Sequence, residues 1–140
     1  MSPADELTRP QIDELLRGEV VGRIGCRDGA ATYVVPVIYA YDGEAVYVYS
    51  VEGRKIRAMR DDPEVCFEVD RYDGPGSWRS AIAWGRYEEL DPVGAERARA
   101  LLRERFAGSA RRPGPTGDGG TPVAFRIVLR EVTGRRRSPA

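Results

Sequence analysis

The sequence contains no histidine, and of its 22 cationic residues only Lys55 is a lysine. The first absence removes whole classes of chemistry. No Ser-His-Asp or Cys-His nucleophile can be assembled, and no histidine-ligated zinc or iron site can form within the chain. Cysteine is scarce too. Cys26 and Cys66 lie far apart in the chain, with no CxxC pair, inside apolar strand-like runs. They are expected to be two reduced core thiols rather than a disulfide or a reactive thiol. Long hydrophobic runs are missing: the longest apolar-rich stretch, residues 30–41, suits a strand better than a membrane span. The polar, acidic start Met1-Ser2-Pro3-Ala4-Asp5-Glu6 is unlike a signal peptide. A cytoplasmic protein with no membrane partner is therefore expected. Net charge is absent as well, with 22 acidic residues against 22 basic ones. That balance argues against a dedicated nucleic-acid binder.

What is present is one domain, residues 1–140, able to bury a modest core. Thr8-Arg9-Pro10-Gln11 has the pattern of a capping box, and Ile12, Leu15 and Leu16 follow at helical spacing. A short helix over 9–17 is predicted. Strands are predicted over 19–27, 31–41 and 45–49, joined by tight turns at Asp28-Gly29 and Asp42-Gly43 into a meander. A second short helix is expected over 53–61. Val65, Phe67 and Val69 alternate as in a half-buried fourth strand, and residues 78–90 make a long fifth. Asp91-Pro92 opens a third helix running to about Phe106. Residues 108–120, rich in glycine and proline and containing Arg111-Arg112, are expected to be a mobile loop. Residues 123–132 form a sixth strand, and residues 134–140, with Arg135, Arg136 and Arg137, a solvated tail. The expected class is α+β, mainly β: a six-stranded antiparallel barrel with short flanking helices.

Three places could carry chemistry. At the start of the second helix, Arg54, Lys55 and Arg57 crowd an end that is already positive, while Asp61 and Asp62 sit at the negative end. Both ends oppose the helix dipole. The start is explained if an anion docks on the helix amides, with Ser50 as a hydroxyl donor and Gly53 allowing close approach. It is equally explained if the cations pair with Glu52 or other acids. The second place is Tyr33-Val34-Val35-Pro36-Val37, where proline within a strand demands an edge or a bulge. The third is Trp78-Arg79-Ser80-Ala81, where a tryptophan beginning a strand could cover a flat ring or belong to a core or dimer interface. The tyrosines 33, 39, 41, 47 and 49 lie on neighbouring strands, mostly as packing partners.

The order of these features is a proline-containing second strand, a strand ending in S-x-x-G-R-K, then W-x-S-x-x-x-x-G. It resembles the pyridoxamine 5'-phosphate oxidase-like family of flavin-binding split β-barrels. Its short, nitroimidazole-resistance-type members are the most similar. The resemblance covers nearly the whole chain. It implies a homodimer holding FMN between subunits and acting on a small-molecule substrate. Arg54 and Lys55 match the family's phosphate-binding pair, and Tyr49 and Ser50 the positions just before it. Tyr33, Val35, Pro36 and Val37 match the strand whose backbone faces the isoalloxazine ring. Ser80 matches a flavin-contacting position that is often glutamine, and Trp78 lies beside it. Tyr49 replaces the histidine usual in nitroimidazole-resistance-type members, and the C-terminal arginine motif of the true oxidases is lacking. Vitamin B6 oxidation is therefore not expected. Two alternatives remain open: a deazaflavin-dependent reductase on the same fold, and a non-catalytic flavin-binding module.

Overall fold

The computed structural model describes residues 5–108 and 119–139. The expected loop over 108–120, with Arg111-Arg112, lies outside the described residues apart from Gly108, Gly119 and Gly120. The elements in chain order are β1 (Asp5–Glu6), α1 (Arg9–Gly18), β2 (Val21–Asp28), β3 (Ala31–Ile38), β4 (Ala40–Tyr41), β5 (Ala45–Val51), α2 (Arg54–Asp61), β6 (Glu64–Gly74), β7 (Ser77–Glu89), α3 (Pro92–Arg105) and β8 (Pro122–Arg137). The class is as expected, mainly β with short helices, but the described residues form eight strands rather than six. They form one antiparallel sheet in the order β3-β2-β6-β7-β8-β5-β4, with β1 added to the far end of β8. The path does not close by hydrogen bonds, so the barrel is split between its two edges.

The expected strand over 31–41 is divided at Tyr39, and its two parts lie at the two ends of the sheet path. Tyr39 is buried, its ring edge-on to Phe67 at 4.9 Å and its hydroxyl donating to the Leu16 carbonyl at 2.6 Å. Its backbone is where the chain changes partner: the Tyr39 amide still donates to the Val20 carbonyl at 3.3 Å. Residues before it pair with β2 and residues after it pair with β5. The expected meander is thereby corrected: β3 and β5 are not hydrogen-bonded neighbours. The tail is corrected too, because β8 continues to Arg137, paired with β7 along its length and with β1 at Arg135 and Arg136.

The inner face is the core. Ile24, Cys26, Val37, Val46, Val48, Val65, Phe67, Val69, Ala81, Ala83, Phe125 and Ile127 line it, and α1 and α2 add Ile12, Leu15, Leu16, Ile56 and Met59. The capping box forms as predicted, with the Gln11 amide donating to Thr8 Oγ1 and the Thr8 amide donating to Gln11 Oε1. Two glycines are dictated by contact. A Cβ on Gly22 would lie 2.1 Å from the Phe67 ring, and one on Gly85 would lie 2.3 Å from the Val128 carbonyl oxygen. On the other side of β5 a smaller cluster of Ala45, Tyr47, Ala98 and Ala124 seats α3. Among the described residues no helix is long and apolar enough to cross a membrane.

Only Cys26 is a core thiol. It is buried on the inner face, where burial raises its pKa. Cys66 is half-buried on the outer face, its sulfur lying over Gly25, where a Cβ would come within 2.7 Å. Opposite faces of the sheet keep the two sulfurs apart, and both cysteines are free.

Candidate functional site

The start of α2 is built by the close of β5 and the extended residue Gly53, which caps the helix without a side-chain hydrogen bond. Its first-turn amides therefore lack the acceptor that serine or aspartate would supply. Ile56 and Met59 pull the helix onto the core, and Lys55 is left half-buried at the rim. Among the described residues Lys55 makes no hydrogen bond and no ion pair, and burial lowers its pKa. Its neighbours are engaged. Arg54 Nε donates to Asp28 Oδ2 at 2.6 Å, and its guanidinium carbon lies 4.4 Å from the centre of the Tyr33 ring. Arg60, one turn on, is clamped by Glu52 at 2.7 Å and Glu89 at 2.8 Å. Of the crowded cations, Asp28 engages Arg54, whereas Lys55 and the exposed Arg57 pair with no acid among the described residues; of these two, Lys55 is the half-buried one, beside uncapped amides. This combination fits a phosphate group.

Tyr49 and Ser50 point to opposite sides of β5. Ser50 is fully buried among the inward residues of β5. Tyr49 points the other way, towards α3, where the Arg99 guanidinium lies 5.6 Å from its ring. It lines a cleft of about 310 Å³ with Glu52, Arg60, Glu89 and Arg99.

Pro36 lies in an edge strand, which is one of the two positions a proline tolerates. The bulge alternative is not realised, since β3 pairs with β2 without interruption from Ala31 to Ile38. Among the described residues no strand is hydrogen-bonded to the other side of β3, which leaves its outer backbone edge open. Tyr33, Val35 and Val37 face the core, whereas Val34 and Pro36 face outward.

Trp78 and Ser80 stand on the outer face of β7, half-buried, in line with Ile82 and Trp84. They are remote from Lys55 within one chain. Asp28, which holds Arg54, lies three residues from Gly25; Gly25, Cys66 and Trp84 form one cross-strand row; Ser80 lies four residues past Trp84 in the opposite direction. That separation is roughly 23 Å along the sheet, with the two ends on opposite faces.

The outer face also carries two elements that the sequence did not reveal. Val21, Val34, Ile38, Ile82 and Trp84 are exposed there, Val34 by 62% and Trp84 by 40%. Within this apolar field Arg23 Nη1 bridges Glu68 at 3.3 Å and Asp70 at 3.2 Å. Burial and the adjacent Asp70 carboxylate push the Glu68 carboxyl up to about 7, against the opposing pull of Arg23. A carboxyl that holds its proton more tightly when folded stabilises the fold at low pH. Stability should therefore be greatest below the ordinary glutamate range and decline as pH rises to about 7, by on the order of 1 kcal/mol after solvent screening. Thermal melts between pH 4.5 and 8 should show this slope in the wild type and lose it in Glu68→Gln. An identical slope in both proteins would assign it elsewhere.

Comparison with known proteins places these features in context. The family model described as pyridoxamine 5'-phosphate oxidase matches residues 8–136. A FAD-binding protein of Mesorhizobium loti is 30% identical, with 98% of each chain covered and a TM-score of 0.77. A candidate 5-nitroimidazole antibiotic resistance protein of Bacteroides thetaiotaomicron shares the fold at 16% identity, covering 96% of this chain and 87% of that one with a TM-score of 0.77. An uncharacterised protein of Rhizobium meliloti (strain 1021) is 30% identical over 84 residues, and the match spans 60% of this chain and 56% of that relative.

Proposed function

The chain belongs to the pyridoxamine 5'-phosphate oxidase family, and from that premise we propose that it binds a flavin, FMN in particular, between two copies of itself and serves as an oxidoreductase towards a small molecule. The observation that carries this reading is Lys55: a half-buried cation without a partner among the described residues, at the uncapped start of α2. An anion of fixed position relieves both defects at once. The flavin would supply the hydride or electron transfer, and the protein binding, orientation and electrostatics. Lys55 and Arg54 would hold its phosphate, and the open edge of β3 around Val35 and Pro36 would meet the ring.

The second copy is part of this reading. Ser80 and Trp78 are too distant from Lys55 of the same chain for one FMN to touch both. A two-fold dimer packed through the outer sheet faces would cover the exposed apolar residues and bring Ser80 and Trp78 of one copy towards the cradle of the other. Flat apolar patches of this kind mark interaction surfaces.

The 30% identical FAD-binding relative makes FAD the ligand to compare directly, with deazaflavin as the third. The test is titration of purified protein with FMN, FAD and a deazaflavin, followed by flavin fluorescence and thermal shift. Saturable binding of FMN, tighter than that of the other two, supports the proposal. No binding of any of them sinks it. Tighter deazaflavin binding moves the assignment to that cofactor.

A further inference from the structure

We propose that Asp28, at the end of β2, is a positioning residue for the phosphate cradle. It holds the Arg54 guanidinium by its edge while Tyr33 holds it by its face, so that Arg54 is oriented before any ligand arrives. This rests on the flavin reading above.

Asp28 pairs with Ala31 and Cys26 with Tyr33 across the β2–β3 hairpin. Asp28 and Tyr33 are therefore diagonal neighbours on one face, the rim that meets α2. Their two contacts divide the guanidinium between them: Asp28 Oδ2 takes Nε at 2.6 Å, and the Tyr33 ring lies under the guanidinium carbon at 4.4 Å. Among the described residues neither terminal nitrogen makes a hydrogen bond, and no acid other than Asp28 pairs with this guanidinium. The terminal nitrogens are the atoms that face a planar pair of phosphate oxygens in a forked contact. Arginine has many rotamers, and a ligand that must order one loses affinity in doing so; a side chain fixed beforehand spares that loss.

The pair serves the fold little. Its side chains are 54% and 40% exposed, and exposed ion pairs contribute little to stability. Its geometry is nevertheless specific, since an edge contact and a face contact converge on one group. Asp28 also cancels the charge of Arg54, so attraction for the phosphate falls mainly to Lys55, and Arg54 contributes direction.

The experiment is a fluorescence titration of FMN and of riboflavin against the full chain, comparing wild type with Asp28→Asn, Asp28→Ala and Tyr33→Leu. Asparagine keeps an oxygen that accepts from Nε, so Asp28→Asn should stay within about two-fold of wild type for FMN. Asp28→Ala and Tyr33→Leu should each weaken FMN by about three- to five-fold, and Asp28→Ala should leave riboflavin unchanged. A gain in FMN affinity in Asp28→Ala would overturn the inference, because Asp28 would then compete with the phosphate. Unchanged FMN affinity in Asp28→Ala, or equal losses for riboflavin, would overturn it too. Wild-type protein that binds neither ligand refutes the flavin reading itself, a result distinct from any of these.

Discussion

Lys55→Ala should weaken FMN binding by about 30- to 100-fold while changing riboflavin affinity less than about two-fold. The two ligands share the ring and the ribityl chain and differ in the phosphate, so the difference isolates the contact under test. The size follows from the setting of Lys55. It is half-buried, where charge-assisted hydrogen bonds are worth more than at an exposed site, and it has no internal acid among the described residues to dilute its charge. Isothermal titration with both ligands measures the effect, and equal losses for both would remove Lys55 from the phosphate site. Stability should behave differently from affinity. An unpaired half-buried ammonium is an electrostatic cost to the fold, so the melting temperature of Lys55→Ala without ligand should equal or exceed that of the wild type. A pH effect accompanies this. Burial lowers the Lys55 pKa in the free protein, and a bound phosphate dianion would raise it again. FMN affinity should therefore fall as alkaline pH removes the proton from free Lys55, and riboflavin affinity should not follow.

Ile82→Arg is expected to abolish self-association and, with it, most flavin binding, although residue 82 lies far from Lys55. Ile82 sits on the outer face beside Glu68 and Thr133 of the neighbouring strands. In an isolated chain its side chain is 39% exposed, so arginine is accommodated and the fold should remain intact. Buried between two copies, the same arginine would be a bulky charge desolvated in a largely apolar contact, a penalty that Glu68, already engaged by Arg23, offsets only in part. Light scattering should show monomer where the wild type shows dimer, and the FMN titration should weaken by at least as much as for Lys55→Ala. A substitution on the inner face could not make this distinction, because it would unfold the protein first. A wild type that is monomeric yet binds FMN fully would overturn the shared site, and Ile82→Arg dimers would place the interface elsewhere.

Much of the local structure was legible because local rules govern it. The capping box of α1 forms from the residues that suggested it. The alternation of Val65, Phe67 and Val69 marked the core side of β6, and Pro36 marked an edge. The errors lie where long-range contacts override local propensity. Residues 31–41 read as one strand, since nothing in their pattern shows that the Tyr39 ring finds Phe67 and its hydroxyl the Leu16 carbonyl. Arg135 to Arg137 read as a solvated tail, because charged residues signal a strand only when β7 and β1 are there to pair with them. Strand alternation sends the side chains of Tyr49 and Ser50 to opposite sides of β5, a division that the local motif does not display.

The sequence alone settled which classes of chemistry are excluded. Without histidine it lacks the common acid–base and metal-ligand side chain, and its single lysine falls at the start of a helix whose charges run against the dipole. Composition and spacing suffice for such conclusions, since they depend on which groups exist and on contacts within a few residues. Only the tertiary structure decided which cations around α2 the acids engage. Asp28 is 26 residues from Arg54 in the chain, and Glu89 is 29 from Arg60, so the pairings that engage those arginines and leave Lys55 without a partner among the described residues depend on how β2 and β7 are brought up to α2. Electrostatic partnership depends on distance in space, and chain separation does not specify that distance until the sheet has formed.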